Sequence, residues 1–223
     1  MGKLIVIEGI DGTGKTTQFE RLCALLREKS IPHRELSFPC YDDPSSTLVR
    51  MYLGGSFGTA PDAVNAYAAS AFFACDRYAS FKQHWEQDYN DGMLFVSCRY
   101  TTSNAIHQGA KLAGDDRRAY LDWLFDYEYR LLGIPAPDRV LLLDCPAEVS
   151  TANLRKREAS GASTADIHET DTSYLARCAV AAGEAADRFG WQRIPCASDG
   201  TMRSPDDIHA DICAALSDII GIL

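Results

Sequence analysis

Apolar, largely β-branched or leucine-rich residues run unbroken at Leu4-Ile5-Val6-Ile7, Met93-Leu94-Phe95-Val96 and Val140-Leu141-Leu142-Leu143. Runs of four without a polar interruption predict strands buried on both faces, as in a parallel sheet. Between these runs the apolar positions change to helical spacing. From Thr16 onward, Phe19, Leu22, Cys23 and Leu26 recur on one face, and Pro32 ends that helical region. Residues 33–38 predict a second strand. The turn at 42–46 leads into a short helix carrying Leu48, Met51, Tyr52 and Leu53, which Gly54-Gly55 and Gly58 break. Pro61-Asp62 opens a long helix through Tyr67, Phe72, Phe73, Tyr78 and Phe81. Further helices are predicted around 103–112, 117–132 and 147–157, then at 171–189 and 205–220, with a short last strand at 191–194. Residues 159–170 are small and polar, the composition of a mobile segment. Strands alternating with helices, with no repeat and no dividing linker, predict a single three-layer α/β domain over 1–223. Its five-stranded parallel sheet would be covered on both faces and would bind ligands over the strands' carboxyl ends.

The first strand is followed at once by Gly9-Ile10-Asp11-Gly12-Thr13-Gly14-Lys15-Thr16, which fits the phosphate-loop spelling G-x-x-x-x-G-K-[ST], with Thr17 continuing into the helix. A strand, a glycine turn and a helix N-terminus aim backbone N–H groups at one point, where the helix dipole favours an anion. Lys15 can carry its charge to the terminal phosphates, and the Thr16 hydroxyl can ligate Mg²⁺. The chain is therefore expected to bind a nucleoside triphosphate through residues 9–17.

Composition narrows the partners. The formal charge of −9 disfavours nucleic acid, and 46% hydrophobic residues suffice for a substantial core. The longest apolar runs are far shorter than a membrane span, and no signal peptide precedes the first strand. Eight scattered cysteines without a CxxC pair argue for reduced thiols in a cytoplasmic protein, against both a disulfide framework and a zinc site.

A phosphate loop leaves the acceptor open, and three cationic clusters bear on it: Asp76-Arg77-Tyr78 after Phe72-Phe73, Arg99-Tyr100 at the end of the third strand, and Arg155-Lys156-Arg157 before the polar stretch. Phosphoryl transfer needs cations along the path of the moving group more than a strong base. By pattern alone Phe73 fits a helix core as readily as a stacking surface, and Arg77 and Arg155 fit a solvated helix face.

Taken together and in order, the motifs resemble those of bacterial thymidylate kinases over nearly the whole chain. They are the loop Ile7–Thr16, Phe38-Pro39-x-Tyr41, Leu48-Val49-Arg50-x-Tyr52-Leu53-x-Gly55, Phe72-Phe73-Ala74-x-Asp76-Arg77-Tyr78, Arg99-Tyr100-x-x-Ser103-Asn104-Ala105 with Gln108-Gly109, and Pro137-Asp138. The resemblance implies transfer of the ATP γ-phosphate to dTMP with Mg²⁺, in a homodimeric cytoplasmic enzyme. It implies that Phe73 stacks on thymine, with Phe38 also at the acceptor. Arg50, Arg77 and Arg99 would hold the acceptor phosphate or bridge the two phosphates, Asp11 would contact the sugar hydroxyl or the metal shell, and Asn104 would read the base edge. A lid over 155–172 would close on ATP. Because Gly12 stands where some members carry arginine, Arg155 and Arg157 become the candidate catalytic cations beside Lys15. The turn at 197–200 matches the family's loop beside adenine.

Two positions depart from the family. Cys98-Arg99-Tyr100 replaces the usual Asp-Arg-Tyr, removing a carboxylate that would orient Mg²⁺ or its waters. His107 replaces an aromatic that crowds the sugar 2′ position. A deoxynucleoside kinase, or a kinase-like binding protein weakened by Cys98, are the competing readings; the first would have less use for an acceptor-phosphate arginine.

Overall fold

The structure, a computed structural model, describes residues 1–159 and 172–220, with the side chains of 157–159 and 172 outside that description. In chain order the main elements begin with β1 (Lys3–Glu8), α1 (Lys15–Glu28), β2 (His33–Ser37), α2 (Thr47–Leu53), α3 (Ala66–Ser80), α4 (Glu86–Asn90) and β3 (Leu94–Cys98). They continue with α5 (Thr101–His107), α6 (Gly114–Phe125), β4 (Arg139–Asp144), α7 (Ala147–Ala159), α8 (Thr172–Phe189) and β5 (Gln192–Pro195). A two-strand hairpin, β6 (Ala197–Ser198) and β7 (Thr201–Met202), precedes α9 (Pro205–Ala215) and α10 (Ser217–Ile220).

The five strands are parallel in the order β2-β3-β1-β4-β5. Alternation along each strand decides the layers. Ile5 and Ile7 of β1 face one way and pack with Leu22, Cys23 and Leu26 of α1 and Ile208 and Ile212 of α9. Leu4 and Val6 face the other way, into a larger cluster with Phe81, Trp85, Tyr100, Tyr120, Leu124, Tyr174 and Cys178. Every residue from Leu4 to Ile7 is fully buried, which is why the sequence shows an unbroken apolar run instead of alternation.

Boundaries differ from the sequence expectation where capping and turn chemistry intervene. Pro61 starts only a single turn (Pro61–Ala63), and the long helix begins after Asn65, whose side chain accepts from Ala68 N at 2.9 Å. That helix runs on through a π turn (Phe81–Trp85) into α4 instead of stopping at Phe81. The helices expected at 103–112 and 117–132 begin earlier, at Thr101 and Gly114; Gly109–Lys111 tightens to a 3₁₀ turn and Asp126–Leu131 widens to a π turn. The 197–200 turn proves to be the tip of the β6–β7 hairpin, with Asp199 at φ 51° and Gly200 at φ 73°, the pairing that a tight right-twisted hairpin requires. The predicted lid falls mostly on 160–171, outside the described residues.

Candidate functional site

The phosphate loop leaves the carboxyl end of β1 and enters α1 at Lys15. Two of its glycines are fixed by what surrounds them. At Gly9 (φ 153°) a Cβ would sit 2.7 Å from Thr13 Oγ1 and 3.0 Å from Leu143 O. At Gly12 (φ 85°) it would sit 2.3 Å from the backbone oxygen of Ser150 on α7, so no side chain fits there. Instead, Asn153 of α7 donates from Nδ2 to Gly12 O at 2.7 Å, clamping the loop from above. Lys15 Nζ donates to Gly9 O and Ile10 O, both at 2.8 Å, and lies 3.4 Å from Asp11 Oδ1.

β3 ends beside this loop, with Cys98 in register with Ile7. Arg99 then takes a left-handed conformation (φ 68°), its N–H donating to Ile7 O at 3.2 Å. A non-glycine residue pays for such a backbone only when its surroundings over-determine it. Here the fully buried Glu8 does so: its carboxylate accepts from Tyr100 N (3.2 Å), Thr102 Oγ1 (3.1 Å) and Ser103 Oγ (2.6 Å). The turn at 99–103 is thus tied to β1, and the Arg99 guanidinium swings onto Asp11 in an ion pair, with Nη1 3.2 Å from His107 Nε2. Because arginine only donates, His107 Nε2 must be the acceptor here, which places the ring proton on Nδ1, facing Cys178 Sγ at 3.7 Å.

Charge coupling follows from this packing. Burial alone would raise the Asp11 carboxyl, but Arg99 and Lys15 outweigh it and hold it well below the usual carboxylate range. Burial and Arg99 lower Lys15 against the opposing pull of Asp11 and Glu8. Burial pushes the Cys98 thiol up more than Arg99 and Lys15 pull it down, so that strand end carries a neutral thiol.

Two cavities meet at this pair. One is lined by Asp11, Phe38, Phe73, Arg77, Arg99, Asn104 and His107 among others. The other is lined by the loop residues Asp11, Gly12, Gly14, Lys15, Thr16 and Thr17, with Cys98, Arg99, Asn153 and Leu154. Phe73 stands edge-on to Tyr52 (ring centroids 6.1 Å, 90° between planes), half-buried, with the rest of its surface in the first cavity. Asp76 holds the loop over that cavity, accepting from Cys40 N (2.8 Å) and Ser45 Oγ (2.7 Å).

Some expected residues stand differently. Arg77 is not a free cation: Glu128 takes its Nε at 2.7 Å and its Nη2 at 2.6 Å, in a pair whose side chains are 2% and 0% exposed. Only Nη1 is left toward the cavity floor, next to Tyr100 O at 3.4 Å. Arg50 is exposed and lines neither cavity; its Nη1 donates to Tyr41 O (2.5 Å) and Ser46 Oγ (2.6 Å), bracing the segment that carries Tyr41. Arg155 is exposed on α7, with its neighbours Asn153 and Leu154, not itself, at the phosphate cavity. The Arg157 side chain lies outside the described residues. Sequence reasoning missed Glu8, Asn153 and Glu128. Glu8 could have been flagged as a charge inside a buried strand; the other two carry no local signal.

The sequence profile of the thymidylate kinase family matches residues 7–194. A thymidylate kinase of Mycobacterium tuberculosis is 31% identical over 191 residues, spanning 84% of this chain and 87% of that protein. One from Rhizorhabdus wittichii is 29% identical over 226 residues, spanning 98% and 99%. The solved thymidylate kinase of Candida albicans superposes with a TM-score of 0.71 at 20% identity, covering 97% of this chain and 92% of that one, which supports the fold.

Proposed function

Given that the chain belongs to the thymidylate kinase family and so transfers the γ-phosphate of ATP to dTMP, giving dTDP and ADP, we propose that its two cavities divide the substrates between them. ATP lies with its phosphates on residues 9–17, and dTMP fills the cavity bearing Phe73. One observation carries this assignment: Asp11 and Arg99 line both cavities, so a phosphate entering from either side meets the same pair. Arg99 then bridges the transferred group and the acceptor phosphate, and Lys15 turns from the loop carbonyls to the β- and γ-phosphates.

The rest of the acceptor follows from polarity along the cavity. Phe73 offers a ring face for the base, with Phe38 across the loop. Asn104, whose Nδ2 donates to Ser70 O (3.3 Å) and Glu128 Oε1 (3.4 Å), and Nη1 of the neutralised Arg77 stand at the floor, where the base edge would lie. This moves Arg77 from phosphate binding toward the base, because Glu128 already balances its charge. Arg50 acts through the 41–47 segment, and His107 borders the sugar beside Arg99.

The donor set fits Mg²⁺ through oxygen: Thr16, exposed at the start of α1, lines the phosphate cavity, whereas Asp11 is already committed to Arg99 and Lys15. The metal supplies neutralisation of the β- and γ-phosphate charge when bound with ATP. Arg155 and Arg157 follow α7 from Asn153 and are the cations we assign to the transferring phosphate, since Gly12 has no room for one. We also propose a homodimer in the cytoplasm; its eight free cysteines suit a reducing compartment.

ADP release measured with dTMP, dUMP, thymidine and no acceptor tests the assignment. Turnover is expected with dTMP and not with thymidine, which brings no phosphate to Arg99. Equal rates with thymidine would sink it.

A further inference from the structure

On the opposite half of α1 from the phosphate loop, three side chains of different chemistry converge. Cys23 on α1 is fully buried, His33 opens β2 with its side chain 5% exposed, and Glu35 follows two residues later at 39%. Their Sγ, ring nitrogen and carboxylate oxygen all lie within 4.8 Å of one another, with His33 Nε2 3.6 Å from Glu35 Oε1. Two residues apart on one strand, His33 and Glu35 must share a face, and that face is the one α1 covers. The imidazole is oriented as metal-bound imidazoles are: Nδ1 is 2.9 Å from Ile31 O, so it carries the proton and donates, leaving the Nε2 lone pair turned toward Cys23 and Glu35. We propose that Cys23, His33 and Glu35 form a binding site for a borderline-soft divalent transition metal of the Zn²⁺ class.

The ligand set selects that class. Thiolate with imidazole and carboxylate suits Zn²⁺ and disfavours the Mg²⁺ that accompanies ATP. Ligands at zinc's usual bond lengths stand roughly 3.5 Å apart around a tetrahedral ion, so small side-chain rotations close the present spacing and leave a fourth position for water. Arg27 pairs with Glu35 and competes with the incoming ion for that carboxylate. Burial and the neighbouring Glu35 push the Cys23 thiol up to about 12, so binding must displace its proton. The site would pin α1 to β2. Cys23 is eight residues along the helix from Lys15, about 12 Å, so the ion acts on stability and leaves ATP binding alone. The pattern escaped the cysteine spacing because its three ligands share no short motif and one is a glutamate on a strand.

Co²⁺ titration of the chelator-treated full chain tests this, read by the thiolate-to-cobalt charge-transfer absorption and displaced by Zn²⁺. One equivalent is expected, with a higher melting temperature in Zn²⁺ and an unchanged KM for ATP. His33→Ala should weaken Co²⁺ binding about a hundredfold or more, and Cys23→Ala should lose the absorption band. Dichroism and dTMP-dependent ADP release verify that each variant is folded, and His33→Ala keeps the test sound if the buried Cys23 position does not tolerate alanine. Absence of the band in the parent protein overturns the proposal. So does a band of equal strength and affinity in His33→Ala, which would put the ion on other cysteines.

Discussion

Single residues change meaning with the partner that the fold brings to them. Arg77 next to Phe73 looks in sequence like a cation awaiting phosphate, because nothing local reveals Glu128, 51 positions away. Once paired and buried, the two charges stand or fall together. Glu128→Gln should cost about 3–5 kcal/mol, because it strands a buried guanidinium, while the double change Arg77→Met with Glu128→Leu should cost less. Denaturant unfolding of the three proteins decides it: a single variant no less stable than the double would mean that the pair is solvated. At Cys98 the resemblance implies a missing carboxylate, and in the structure burial pushes the thiol up against the pull of Arg99 and Lys15. Cys98→Asp should therefore restore an oxygen donor beside the phosphate cavity and lower the Mg²⁺ needed for half-maximal turnover roughly tenfold. Superimposable Mg²⁺ titrations of the two proteins would mean that Thr16 and the phosphates already complete the shell.

At the scale of elements, the apolar runs placed the three central strands β3, β1 and β4, because a strand buried on both faces needs an unbroken apolar run, whereas the edge strands β2 (HRELS) and β5 (QRIP) carry no such run. The phosphate loop was legible for a similar reason: its glycines answer to backbone geometry that no other residue reaches. Helix limits were less legible. Asn65 caps α3 four residues beyond the proline that looked like its start, and a π turn carries that helix past Phe81, its apparent end. Least visible was the seating of α7 on the loop, which depends on an oxygen of Ser150 and an amide of Asn153. It has a direct consequence for catalysis. Asn153→Ala removes one hydrogen bond from the loop, worth about 1 kcal/mol, and should raise the KM for ATP roughly fivefold with dTMP affinity unchanged. Gly12→Ala adds a Cβ against immovable backbone and a strained φ, and should lose several-fold more than Asn153→Ala in kcat/KM. Initial-rate kinetics with each substrate varied in turn separate the two; a Gly12→Ala enzyme with parental constants would show that α7 does not sit on the loop in solution.

For the whole molecule, the strand order settles where chemistry can occur. Placing β1 between β3 and β4 brings the phosphate loop, Arg99 and the start of α7 to one edge of the sheet, and Asp11 becomes their common anion. The sequence showed the alternation of strands and helices from which a parallel sheet follows, but not this strand order, nor the convergence of charge that it produces. That convergence gives the fold a measurable dependence on acid. In the folded chain the Asp11 carboxyl lies well below its ordinary value of 3.8. The unfolded chain therefore takes up the proton first as pH falls. The stabilisation from this ion pair is complete above the unfolded value and disappears as pH drops through the lower, folded one. Arg99 is 28% exposed, which screens the pair, so Asp11→Asn should cost about 2 kcal/mol at neutral pH. The cost should shrink below pH 4 until the two proteins unfold alike, because there the parent chain also loses the anion. Urea unfolding of both proteins between pH 2 and pH 7 gives the comparison. A difference that stays constant across that range would show that Asp11 contributes packing and not charge, and the junction between the two substrate cavities would then need another anion to hold Arg99 in place.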